Sequence, residues 1–296
     1  MRELLVIADK KGCTQEAFFH ALEVAKNTGA SIEFVGFVYA AGVDSSEILT
    51  REEKRKLRHA YLDEKKVTID EFISGVDLHD IKLKVDVVWE KSLESWVVSR
   101  CDQKSFDMIF KTGHRTETFL YTPTDWHLMR RCPDPVMIVG SSPWKQGGKI
   151  LAALDLSSSS EKALQLNENI LYTSFALSKS TNSEVHACYS IPLAATMFES
   201  NSVDSKNIGV NKNMITMTKS IDPVIRKLIQ DAGLDENKLH LVSGNPAKEI
   251  VRILDEIKAD VVVIGKKTRK SLRGRLMGTT AENVLHSTKT DVIVVR

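Results

Sequence analysis

Residues 261–285 read Val261-Val-Val-Ile-Gly265, then Lys266-Lys-Thr268-Arg-Lys-Ser-Leu-Arg-Gly-Arg-Leu-Met277, then Gly278-Thr-Thr-Ala-Glu-Asn-Val-Leu285. A β-branched apolar run that ends at a glycine reads as a buried strand. A second glycine followed by two hydroxyl residues then opens a helix-like segment. That is the layout of an anion site, in which small residues let the backbone approach a phosphate and a helix N-terminus directs N–H groups at it. The loop between the two carries six basic residues, Lys266, Lys267, Arg269, Lys270, Arg273 and Arg275, and no acid.

Working outward, the pattern around this stretch occurs twice, at a period of about half the chain. Leu4–Asp9 and Ile150–Asp155 are both short apolar strands ending in an aspartate. Phe106–Phe110 matches Ala259–Ile264, and Val136–Val139 matches Val292–Val295. Between these landmarks strands and helices alternate. Helical spacing marks Thr14–Asn27, Thr50–Ser74, Ser92–Ser99 and Asp125–Arg131 in the first half. In the second half it marks Glu161–Lys179, Asn211–Ala232, Ala247–Ile257 and Thr279–Ser287. Asn245-Pro246 fits an N-cap followed by proline at the first helical position. Within Thr50–Ser74 the stripe Leu57, Ala60, Tyr61, Val67 and Phe72 is expected to face the core.

Alternating strands and helices imply βαβ units and a mostly parallel sheet with right-handed crossovers. The expected fold class is α/β: two tandem, doubly wound, five-stranded, Rossmann-like domains. The first spans residues 1–140, the second 149–296, and the Gly/Ser/Pro-rich residues 141–148 link them. At 296 residues the chain is long enough for two domains, each with its own core. The formal net charge of +2 is too small for a nucleic-acid-binding footprint. The four cysteines form no C-x-x-C pair and suggest a reducing compartment. Met1–Asp9 reads as a strand rather than a signal peptide, and no apolar stretch reaches membrane-spanning length, so a cytoplasmic soluble protein is expected. None of the eight histidines forms H-x-x-H or H-E-x-x-H, and neither a G-x-S-x-G elbow nor a Walker lysine motif is present.

In an open α/β sheet ligands bind at the C-terminal ends of the strands. Asp155 and Gly265 therefore belong to one edge, although more than a hundred residues separate them. A carboxylate there suits a ribose hydroxyl or a bound magnesium ion, and the Gly265 and Gly278-Thr279-Thr280 segments suit phosphates. Of the basic loop, Lys266 and Arg269 are nearest the glycine and are the better phosphate candidates; the remainder reads as a solvated loop. Ser157–Ser160 suit capping of the next helix.

These residues resemble the universal stress protein family over nearly the whole chain, as two copies. Nucleotide-binding members carry G-x2-G-x9-G-[ST] after the fourth strand. Gly265, Thr268, Gly278 and Thr279 hold that spacing, with Thr268 in place of the middle glycine. The resemblance implies ATP or another adenine nucleotide, with Mg through the nucleotide, Asp155 near ribose or metal, and Tyr189 near the adenine. The first copy has Thr122-Pro123-Thr124 where the second has Gly278-Thr279-Thr280. Proline removes an amide, and Asp125-Trp126 brings a charge and a ring. With Arg131-Cys132-Pro133, this looks like the E-type tandem members, and the first half is expected to hold no nucleotide in the usual way. Asp9 reads as structural, and Lys111, ending a buried strand, as snorkelling to the sheet edge. Expected partners are a nucleotide and an unidentified protein, with no membrane and no specific nucleic acid. Residues 136–139 and 292–295 are expected to pair as an intrachain pseudo-dimer, with a homodimer of chains left open. The alternatives are an interaction module without nucleotide, or a slow ATPase at the same site.

Overall fold

The computed structural model describes residues 1–10, 14–113, 123–140, 144, 147–156, 158, 160–191, 227, 229–266, 269–271, 274–276 and 279–296. The chain divides into two compact units.

The first unit runs β1 (Glu3–Ile7), α1 (Glu16–Thr28), β2 (Ser31–Val38), α2 (Ala41–Asp44), α3 (Arg51–Ser74), β3 (Leu83–Trp89), α4 (Leu93–Gln103), β4 (Met108–Thr112), α5 (Pro123–Arg131) and β5 (Val136–Val139). Its strands lie in the order β3-β2-β1-β4-β5, and every pairing is parallel. The order reverses after β1, so the switch point lies between β1 and β4. Leu4, Leu5 and Val6 of β1 and Met108, Ile109 and Phe110 of β4 are fully buried, as central parallel strands must be when helices cover both faces. Phe18 of α1 packs 4.7 Å from Phe34 of β2 and 5.2 Å from Phe72 of α3, between ring centroids, fixing both helices to one side.

The second unit repeats the scheme: β6 (Lys149–Ala153), α6 (Glu161–Thr181), β7 (Glu184–Ile191), β8 (Leu239–Ser243), α7 (Pro246–Ile257), β9 (Val261–Gly265), β10 (Arg269–Ser271), β11 (Gly274–Leu276), α8 (Thr279–Ser287) and β12 (Asp291–Val295). A 3-10 turn, Glu236–Lys238, precedes β8. The order is β12-β9-β6-β7-β8, again all parallel. Asn245 caps α7 by accepting the Lys248 amide, with Pro246 at the first position, as its sequence indicates. The helix expected over Asn211–Ala232 falls mostly outside the described residues.

Two elements depart from the sequence reading. In α3 the buried line is not the expected stripe. Leu57, Tyr61 and Val67 are 37%, 42% and 55% exposed, whereas Ile69 is buried, with Leu62, Lys65, Phe72 and Ile73 half-buried around it. In the N-terminal half Arg58 and Tyr61 reach Trp89 at the end of β3, while the C-terminal half of the helix buries Ile69 against the sheet. It approaches closely enough that a Cβ on Gly36 of β2 would stand 2.7 Å from Ile69 Cδ1. The basic loop, expected to be a solvated loop, contains an antiparallel ribbon, with Arg269 paired to Leu276 and Ser271 to Gly274.

Candidate nucleotide crevice

The second unit's crevice begins where β6 ends. Ala153 is abreast of Ile264 on one side and Cys188 on the other. The Leu154 amide then donates to Cys188 O at 2.9 Å, and Asp155 follows just past the end of β6, where β9 ends at Gly265 and β7 carries Tyr189. The structure thus brings Asp155, Tyr189, Gly265 and Lys266 to one edge at the switch point of the sheet. Burial pushes the Tyr189 phenol above its ordinary pKa, and the Asp155 charge pushes it further. Lys266 is buried, and its amide donates to Val295 O at 2.8 Å, continuing the ladder past Gly265. Thr279 opens α8 and Thr280 is half-buried behind it. Arg269 lies in β10. Thr268 and Gly278 lie outside the described residues.

Gly265 has a reason to be glycine that involves no ligand. A Cβ there would meet three atoms of the Leu166 side chain at 2.8–2.9 Å, because α6 crosses β9 closely. Asp155 is held by its backbone. Its N–H donates to Asn167 Oδ1 at 2.9 Å, and its carbonyl accepts from Asn167 Nδ2 at 2.9 Å. Asn167 is fully buried in α6. The sequence reading did not single it out; the available signal was an amide on the apolar face that carries Ala163, Leu166 and Ile170. Ser160 stands at the N-cap of α6 but makes no side-chain cap; its hydroxyl group instead accepts from Ser158 Oγ. Ser157 and Ser159 lie outside the described residues. Among the described residues no group of three or more His, Cys, Asp or Glu side chains is placed to hold a metal ion.

The first unit's crevice is built from the same elements and filled differently. Lys111, the penultimate residue of β4, does not snorkel to the edge. It is buried, and its Nζ lies 2.6 Å from Asp125 Oδ1 in the first turn of α5, where Asp125 is wholly buried. Lys111 Nζ also donates to Thr112 O at 2.9 Å. A carboxylate of the chain thus occupies the first turn of the helix that follows the fourth strand. Thr112 Oγ1 donates to Asp9 Oδ2 at 2.6 Å and accepts the Ala17 amide at 3.1 Å, tying strand ends to the start of α1. The Asp9 amide donates to Gln15 Oε1 at 2.9 Å, and Lys65 Nζ donates to Asp9 O at 2.6 Å. Asp9 therefore belongs to the turn architecture.

The chain matches the profile of the universal stress protein family twice, over residues 1–140 and 148–296. Universal stress protein E of Escherichia coli K12 is 25% identical over 306 aligned positions, which span 100% of this chain and 94% of that protein. The universal stress protein E homolog of Haemophilus influenzae is 25% identical over 308 positions, spanning 100% and 97%. A solved structure from Pseudomonas aeruginosa PAO1, described as a protein of unknown function, superposes with a TM-score of 0.72 at 21% identity, covering 99% of this chain and 92% of that one. Among the described residues no helix is long and apolar enough to cross a membrane.

Proposed function

Because the chain belongs to the universal stress protein family, as an E-type tandem of two family domains, we propose that it is a cytoplasmic stress-response regulator whose second unit binds ATP or another adenine nucleotide. The observation that carries this reading is the convergence of Asp155 and Gly265 at the switch point of the second sheet. A ribose-gripping carboxylate and a phosphate-approaching backbone are needed together at such a point. The α8 N-terminus that follows the same strand adds amide donors of the kind phosphates use. Mg would enter with the nucleotide, Asp155 being the residue that would hold it, and would supply charge neutralisation for the phosphates. Nucleotide occupancy would then bias a surface that faces a protein partner.

The first unit is read as not binding nucleotide, since Asp125 supplies internally the negative charge that a phosphate would bring. Isothermal titration with ATP, ADP and AMP, with and without magnesium, should give about one site per chain. Gly278→Trp should abolish binding, and Thr122→Trp should leave it intact. Absence of heat with all three nucleotides would overturn the reading. One observation favours the module without nucleotide: the close packing of Gly265 on Leu166 would preserve that glycine in a site that had lost its ligand. For the slow ATPase reading, Asp155 is the nearest carboxylate to act as a base; steady phosphate release that disappears in Asp155→Ala is its signature.

A further inference from the structure

We propose that Asn167 is the positioning residue of the second unit's crevice: its buried carboxamide clamps the Asp155 peptide and so aims the Asp155 carboxylate at the hydroxyls of the nucleotide ribose. This rests on the nucleotide reading above.

The ladder of β6 ends at Ala153, and beyond it the Leu154 amide still reaches the neighbouring strand, at Cys188 O, 2.9 Å. Asp155 is the first residue past the sheet whose N–H and C=O both need partners away from the ladder. A half-buried peptide cannot leave them unmet without cost. Asn167 meets both with one planar group, two 2.9 Å bonds in opposite donor and acceptor senses. Their opposite senses fix which end of the carboxamide carries nitrogen. Two bonds to one rigid amide also fix the rotation of the Asp155 peptide, and with it the direction in which the Asp155 Cβ leaves the backbone. A buried amide among Ala163, Leu166 and Ile170 needs polar partners to be tolerated, and the Asp155 backbone supplies them.

The first unit supports this by contrast. It holds the equivalent backbone, that of Asp9, with two side chains, Gln15 just before α1 and Lys65 of α3. It then satisfies the Asp9 carboxylate with the Thr112 hydroxyl. Thr112 is the last residue of β4 and pairs with Val139; the matching residue of β9, paired with Val295, is Gly265. Where the first unit supplies its own hydroxyl to the carboxylate, the second has a glycine with none to give.

Two measurements on the full chain test the proposal. The first compares calorimetric binding of ATP and 2′,3′-dideoxy-ATP. The wild type should lose affinity when the hydroxyls are removed. Asn167→Leu should bind ATP roughly tenfold more weakly or worse, as expected when an orienting partner is lost, and should no longer distinguish the two nucleotides. Damage to the fold alone would weaken both equally. Asn167→Asp keeps the shape and the acceptor for the Asp155 amide but loses the donor. It should show the same loss of discrimination to a smaller degree, and it serves if the leucine variant does not fold. The second needs no nucleotide: tyrosinate absorbance is titrated against Tyr189→Phe to isolate the Tyr189 phenol. Its pKa should move towards the ordinary tyrosine value in Asn167→Leu, because the Asp155 charge is no longer held beside it. Undiminished ribose discrimination in both variants, or an unmoved Tyr189 titration in a folded Asn167→Leu protein, overturns the role of Asn167. Absence of nucleotide binding by the wild type removes the nucleotide reading instead, and leaves the tyrosine titration to decide whether Asn167 holds Asp155.

Discussion

Lys111 and Asp125 show how one exchange of residues redirects a shared scaffold. Two opposite charges buried 2.6 Å apart tolerate burial only together. Asp125→Ala should therefore cost about 3 to 5 kcal/mol, read from the shift in a urea denaturation midpoint. The double change Lys111→Met with Asp125→Leu should return to within about 1 kcal/mol of the wild type, or exceed it, because neither charge then needs desolvating. A similar pair of measurements separates packing from ligand binding at Gly265. Gly265→Ala should destabilise by about 1 to 3 kcal/mol through its clash with Leu166. Adding Leu166→Ala should cost less than the sum of the two single changes, since each relieves the other's misfit. The sequence showed the aspartate after the first strand, the glycine after the fourth and the suspect proline of the first half. It could not show the pairings, because Lys111 and Asp125, or Asp155 and Asn167, meet only when distinct elements are packed together.

Helices and strands were legible to the extent that their own periodicity and caps specify them. The strand Val136–Val139 and the helix Thr279–Ser287 fall where the residue pattern puts them. The Asn245-Pro246 start of α7 does too. The α3 stripe was misjudged because a hydrophobic stripe shows which face can be buried, not how much of the helix's length the sheet will cover. The β10–β11 ribbon was missed because three-residue strands without β-branched side chains carry too little periodicity to register.

One pairing of strands has a pH dependence of its own. His186 Nδ1 on β7 and His240 Nε2 on β8 lie 3.0 Å apart, a bond that needs one ring as donor and the other as acceptor. Glu184 lies 3.3 Å from His186 and 2.8 Å from Lys238, and the charges of Glu256, Arg252 and Lys149 also act on His240. Burial first, and then the neighbouring His186, lower the His240 pKa in the folded protein. The folded state thus prefers the neutral ring. Its contribution is fully present above the unfolded imidazole value of about 6.5 and is lost as pH falls below that value, towards the lower folded pKa. Thermal unfolding should show this decline, and His240→Phe should flatten it between about pH 7.5 and pH 5; an unchanged slope would show that the pair is not responsible.

For the whole molecule, one scheme occurs twice with different residues at the strand ends: the first crevice holds the buried Lys111–Asp125 pair, and the second has Gly265 where the first has Thr112. Each unit has a short apolar strand as the last in its sequence, 136–139 and 292–295. Hydrophobic period, capping residues and the twofold repeat are local or near-local properties, and they were sufficient to establish two α/β units. The fate of each crevice was settled by contacts between residues far apart in the chain: a carboxylate 14 positions from its lysine, an amide 12 positions from the aspartate it holds, a hydroxyl more than a hundred positions from another aspartate. Such contacts carry no periodic signature, because what selects them is the close packing and polar satisfaction of the folded interior, and those exist only once the strands and helices have been brought together.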